Sequence, residues 1–275
     1  MKITTLISTM NKIRPEELIK EMNIKEKYVI INQITDENID VSPEFQNASG
    51  KIISYKGKGL SKSRNQAIDK ANTEICVIAD DDMYYVEDYC DIIKKAYSKY
   101  NNADIIAFVV EHEDKKNEKR IMKEGKVGFL KSMKISSVQL TINKNSLKNK
   151  KIRFDENFGA GSKYYMGEEN IFLFDCIKKG LKIHYVPIKI ASLGKSESTW
   201  FKGYTREYYN NFGAVYYRMT RIFYPFLIMQ YVIRKRKDYG KDLKPIQVLK
   251  YMFEGVKKYK NEEKNNLLHG WFCFW

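Results

Sequence analysis

Three consecutive carboxylates, Asp80-Asp81-Asp82, directly follow the apolar run Ile75-Cys76-Val77-Ile78-Ala79. A stretch of strand composition thus ends abruptly in acid. Open α/β sheets build their sites at the carboxyl ends of such strands. Adjacent carboxylates repel one another unless a cation or a donor-rich ligand lies among them. Their hard oxygens suit Mg²⁺ or Mn²⁺ shared with substrate phosphates. A solvated strand end accounts for the same triplet. So does the first turn of a helix from Val86, where the dipole favours acids.

A second acidic group, Gly167-Glu168-Glu169-Asn170, opens the apolar stretch Ile171–Lys179. A metal-binding carboxylate set and a separate carboxylate base suit transfer of a group from a phosphorylated donor. A cation offsets charge developing on a leaving diphosphate. The separate base takes a proton from the attacking hydroxyl. Gly167 permits a tight turn, so that one glutamate enters the site while its neighbour faces elsewhere. First-turn acids matched to a helix dipole explain the pair equally well in isolation.

The elements that must position these residues alternate. Lys2–Ser8, Lys27–Gln33, Lys51–Tyr55, the acid-tipped 75–79 and Asp104–Val110 read as strands. Arg14–Met22, Leu60–Asn72 and Val86–Tyr100 read as helices, and Thr9-Met10-Asn11 and Thr35–Gly50 as turn and loop. This is the βαβ pattern of a mostly parallel sheet flanked by helices. Beyond it, Glu111–Glu124 is charge-dense loop, Val127–Met133 and Ser136–Ile142 have strand character, and Asn143–Lys151 is basic and polar. A helix over Ile171–Lys179 stops at Gly180, and a strand over Leu181–Val186 ends at Pro187.

The 275 residues carry a net charge of +15, with 43% hydrophobic residues, which supports a real core and excludes a disordered chain. Residues 195–275 hold 16 Lys+Arg against 7 Asp+Glu. Such a tail faces nucleic acid, an anionic bilayer or an acidic substrate, and an AT-rich genome would inflate the charge without function. From Trp200 the composition turns aromatic. Val215–Ile233 reads as an amphipathic region closed by Arg234-Lys235-Arg236-Lys237. Arg218, Arg221 and Pro225 make it a poor transmembrane span. It suits a membrane interface or packing on the core. The apolar end, Gly270-Trp-Phe-Cys-Phe-Trp275, calls for burial, a partner or lipid. Cys76, Cys90, Cys176 and Cys273 show no metal spacing. The apolar start is too short for a signal peptide. A cytoplasmic protein is expected, able to meet the inner face of the membrane through its tail.

Taken together, the motifs resemble those of family 2 glycosyltransferases with the GT-A fold. Asp80-Asp81-Asp82 is similar to the DxD signature. Gly59-Leu-Ser-Lys-Ser-Arg64-Asn65 resembles the glycine and Ala/Ser-Arg-Asn segment upstream of it. Gly167-Glu168-Glu169-Asn170 resembles the Gly-Glu-Asp/Glu motif that supplies the base, and Phe172–Pro187 the helix and strand that close the domain. The resemblance covers about residues 1–200, leaving 201–275 as a helical, basic C-terminal extension.

It implies an inverting transfer from a nucleoside-diphosphate sugar, with UDP expected, to a glycan or lipid-linked acceptor in surface polysaccharide synthesis. Glu169 would be the base, with Glu168 and Gly167 binding acceptor or supporting the loop. Thr9, Asn32, Gln33, Arg64, Asp80 and Asp81 would bind the nucleotide-sugar. Asp82 would hold Mg²⁺ or Mn²⁺.

Two features depart from the family. An Asp-Asp-Gly-Ser-like turn is replaced by Asn32-Gln33-Ile-Thr, whose amides can still hydrogen-bond a base edge. The stretch Ile190–Thr199 has no histidine to complete a metal shell, and His184, inside a strand, reads as packed. Two other readings use the same residues. A sugar nucleotidylyltransferase would need a glycine-rich phosphate loop, which Ser8-Thr-Met-Asn-Lys12 lacks. A non-enzymatic basic protein would bind membrane or nucleic acid through the tail. With the enzyme reading, nucleic acid is not an expected partner.

Overall fold

Strands buried on both faces read as continuous apolar runs, and the centre of this sheet is built from such runs. The computed structural model describes residues 1–112, 121–194, 203–239 and 243–272. Its strands are β1 (Ile3–Met10), β2 (Lys27–Ile34), β3 (Glu44–Gln46), β4 (Gly50–Lys56) and β5 (Ile75–Asp80). They continue with β6 (Met83–Tyr85), β7 (Ile105–His112), β8 (Gly125–Lys126), β9 (Leu140–Asn143) and β10 (Ile183–Leu193). All join one sheet in the order β3-β4-β2-β1-β5-β9-β7-β10-β6, with β8 added along β10. β4, β2, β1 and β5 run parallel in register; β7 and β10 are parallel with register shifts; β9 is antiparallel between β5 and β7.

Helices cover both faces. Leu18–Glu21 (α1) and Tyr89–Lys99 (α3) bury Leu18, Tyr89 and Ile93 on the face carrying Ile3, Ile7, Val77 and Ala79. Leu60–Lys70 (α2), the short Phe129–Ser132 (α4), Lys144–Lys150 (α5) and Glu168–Lys178 (α6) follow. α2, α5 and α6 bury Ile68, Leu147 and Phe172 against Leu6, Val29 and Ile78 on the opposite face. Then come α7 (Arg206–Met219), α8 (Tyr224–Arg234), α9 (Arg236–Tyr239) and α10 (Pro245–Phe272). These C-terminal helices share a third core with Phe158, Tyr164, Met166, Ile171 and Phe174. The buried face of α8 packs on α7 and α10, and α7 in turn packs on α6.

Several expected elements differ. The 35–50 loop contains β3, which pairs with β4 as an edge. Strand β6 lies inside the stretch read as the approach to a helix; it closes the far edge of the sheet against β10. Strand character over 127–133 gives way to α4, and 143–151 forms α5, capped by Asn143, whose side chain accepts from the Asn145 and Ser146 amides. Pro187 does not end its strand. β10 runs through it, with a register shift between Tyr185 and Lys189 where a missing amide is tolerated. The central part of the charged segment 111–124, the boundary at 200, the end of 190–199 and the last aromatic residues lie outside the described residues.

Candidate active site

The two-residue period of β5 decides where its acids point. Cys76 and Ile78 face α2, so Asp80 faces α2 as well. That helix buries Ser61, Arg64, Asn65 and Ile68, an i, i+3, i+4, i+7 stripe, and so presents Arg64 to the strand end. Arg64 is 1% exposed. Its Nη2 donates to Asp80 Oδ1 at 3.0 Å and its Nη1 to Glu168 Oε1 at 2.8 Å. The two acidic motifs therefore meet on one guanidinium. Burial is the largest influence on Arg64 and lowers its pKa. The charges and hydrogen bonds of Asp80 and Glu168 more than offset this, and the pKa lies above its ordinary value. The guanidinium carbon also stands 5.7 Å from the centre of the Phe154 ring.

Thr9 lies next to the last residue of β1, beside the triplet, because Ser8 is in register with Asp80. Its hydroxyl donates to Asp81 Oδ2 at 2.5 Å. Asp82 is half-buried, and its carbonyl accepts from the Gly194 amide at 2.9 Å. Thr9, Arg64 and the triplet thus gather at the carboxyl end of the central strands.

Asn32 does something other than expected. It is fully buried, its Nδ2 donates to the Lys12 carbonyl at 2.8 Å, and the Lys12 amide donates to its Oδ1 at 3.2 Å. The side chain braces the turn after β1 and does not present a free edge to a nucleobase. Gln33 is the better candidate. Its Oε1 is buried without a partner among the described residues, and so is the Tyr55 hydroxyl. Gln33 and Tyr55 are in register on β2 and β4, so they point to the same face. Burial, then Glu156, raises the Tyr55 pKa. Two unmet polar groups side by side at strand ends suit a hydrogen-bonding ligand. Tyr55 carries no sequence signal beyond ending a strand.

Gly167 opens α6 at φ +81°, and a Cβ there would stand 2.7 Å from Val215. Only glycine meets both demands. Glu168 turns inward to Arg64, while Glu169 is half-buried. The loop before them is held from the C-terminal helices. The Tyr165 amide donates to Asn211 Oδ1 at 2.9 Å, and the Tyr164 hydroxyl to Glu262 Oε2 at 2.7 Å. Arg218 bonds Asp155 at 2.7 Å and Asp175 at 2.8 Å, joining both ends of the same region. Sequence reading missed these supports, since nothing in spacing links residue 164 to residue 262. His184 is buried and stacks on Tyr100 at 4.5 Å; burial holds its pKa below the ordinary value.

The donor set for a metal is chemically suitable but incomplete on its own. Among the described residues no group of three His, Cys, Asp or Glu side chains converges as a cage. Asp80 is shared with Arg64 and Asp81 with Thr9. These hard oxygens fit a Mg²⁺ or Mn²⁺ ion that also takes ligands from a substrate phosphate.

The sequence profile described as glycosyl transferase family 2 matches residues 17–167, more than half the chain. The chain belongs to glycosyl transferase family 2. No curated protein matches it in sequence. Among solved structures, this family 2 chain is similar to S. aureus TarS 1-349 in complex with UDP-GlcNAc. The TM-score is 0.65 at 14% identity, covering 94% of this chain and 80% of that one. The complex of TarS 1-349 with UDP gives 0.60 at 13% identity, over 89% and 76%. TarS 1-349 without a named ligand gives 0.62 at 12%, over 98% and 92%. At such identity the likeness is one of fold, and it is the GT-A fold: a mixed, mostly parallel sheet flanked by helices.

Proposed function

We propose that this family 2 chain is an inverting transferase. It would move a sugar from a UDP-sugar to a hydroxyl of a glycan or lipid-linked acceptor in surface polysaccharide synthesis. The observation that carries the reading is Arg64, which bonds Asp80 and Glu168 at once. It makes one site of two motifs far apart in the chain. The complexes of S. aureus TarS with UDP-GlcNAc and UDP support a uridine nucleotide as donor.

In this mechanism Asp80 and Asp81 lie along the ribose and diphosphate, oriented by Arg64 and Thr9. Gln33 and Tyr55 offer their unmet polar groups to the base. Glu169 accepts the proton of the acceptor hydroxyl. The oxygen attacks the anomeric carbon as the bond to the diphosphate breaks, which inverts the configuration. When bound by Asp82 and the diphosphate oxygens, Mg²⁺ or Mn²⁺ would offset charge on the leaving group. Glu168, tied to Arg64, holds the turn that presents Glu169. The protein is read as cytoplasmic, with its basic C-terminal region meeting the membrane where a lipid-linked acceptor would lie. No helix among the described residues is long and apolar enough to cross a membrane.

The test is a screen of nucleotide-sugars with Mn²⁺, reading UDP release. One UDP-sugar should be consumed, and Glu169→Gln should abolish transfer while donor binding persists. Normal turnover by Glu169→Gln would remove the assigned base.

A further inference from the structure

Helix α8 is apolar on two opposite sides. Leu227, Ile228, Tyr231 and Val232 are buried in the third core. Ile222 in the preceding turn, then Phe226, Met229 and Ile233, follow at spacings of four, three and four. That spacing sets them on a single stripe, opposite the buried one. Ile222 is 77% exposed, Phe226 65% and Ile233 71%. Among the described residues nothing covers this stripe, and scattered surface apolar residues do not align in this way.

The charge around the stripe identifies what fits it. No acidic residue occurs from 222 to 237. The stripe ends at Arg234, Arg236 and Lys237, all exposed. Phe253 on α10 packs its ring edge-on to Tyr224 at 6.3 Å and is exposed, with exposed Lys250 and Lys257 one turn to either side. The apolar surface thus widens beyond α8 and keeps a cationic border. A second copy docking here about a two-fold axis would bring these cationic borders together, which like charges oppose. An anionic lipid surface takes both parts. Acyl chains accept the apolar stripe and headgroups accept the cations.

We propose that α8 lies in the plane of an anionic membrane, with Ile222, Phe226, Met229 and Ile233 inserted and Arg234, Arg236 and Lys237 at the headgroups. This rests on the reading above that the C-terminal region meets a membrane; it names the face that does so. Because α8 packs beside α7, whose Asn211 and Val215 hold the base-bearing loop, the docked helix sets that loop near the lipid surface.

The full chain is tested by co-sedimentation with phosphatidylglycerol-containing vesicles and with phosphatidylcholine vesicles. Wild type should partition onto the anionic vesicles alone, and less so as salt rises. The triple variant Phe226→Ser/Met229→Ser/Ile233→Ser should lose at least about tenfold in partitioning. Arg234→Ser/Arg236→Ser/Lys237→Ser should lose a similar factor. All these side chains point away from the core, so melting temperatures should hold. Undiminished vesicle binding by the apolar variant would overturn the proposal. So would a wild-type dimer, seen by sedimentation velocity, that this variant disperses while no vesicle binding is found. UDP release in solution is read in parallel. Its absence from wild type that still binds vesicles would count against the transfer reading alone.

Discussion

Replacing Arg64 with methionine tests whether the two acidic motifs form one site. The change keeps an unbranched chain over Phe154 but removes the charge. Taking away one partner of a buried ion pair costs about 3–5 kcal/mol, because a buried charge is left uncompensated. The two partners differ in this respect. The Asp80 side chain is 36% exposed and can turn to water; that of Glu168 is 9% exposed and cannot. Glu168 therefore sets the cost, near the lower end, at about 3 kcal/mol. For a chain of this size that lowers the melting temperature by roughly 6–12 °C. Adding Glu168→Gln removes the stranded charge, so the double variant should recover about 1 kcal/mol or more relative to Arg64→Met. Thermal melts and urea titrations of wild type, both single variants and the double variant complete the cycle. UDP release should fall in every variant, since Asp80 and the Gly167 turn each lose their brace. Strictly additive stabilities would refute the coupling, and with it the claim that Arg64 makes the two motifs one site.

Three further outcomes follow from other parts of the fold. EDTA should stop UDP release and added Mn²⁺ should restore it; full turnover in EDTA would take the ion out of the mechanism. At Gly213 a Cβ would stand 1.9 Å from the Met252 carbonyl, so Gly213→Ala must push α7 from α10. It should cost about 1–3 kcal/mol or more and lower transfer, and an unchanged melting curve would contradict the close crossing. His184 has a folded pKa below its ordinary 6.5, so the unfolded chain binds the extra proton. Its contribution to stability is complete above pH 6.5 and is lost as pH falls through the folded value. His184→Phe should flatten that part of the stability profile, and a profile with the same slope would show that other groups cause it.

Much of this architecture was legible because its signals are local. The strand 75–80 announces itself by an apolar run buried on both faces, and α2 by the stripe that includes Arg64. The acids at 80–82 and 168–169 stand at element ends, where turns and dipoles leave a pattern. What was not legible depends on residues distant in the chain. β3 has all three residues exposed and forms only because β4 lies alongside. Pro187 reads as a stop, yet the register shift absorbs it. Asn32 reads as a donor for a base, but its partner is the main chain at Lys12, which composition cannot reveal. Tyr55 shows its unmet hydroxyl only once β4 is placed beside Gln33.

The loop that leads into Glu168 and Glu169 is fastened at Asn211, Val215 and Glu262. Those fasteners leave the ribosome after the loop does. A nascent chain thus carries every acidic residue of the site well before it carries the clamps that fix them. The Tyr164–Glu262 contact can form only once α10 has been made and has docked. Chains that stop short of residue 262 hold all these acids and the Asn211 contact but lack the one from Glu262.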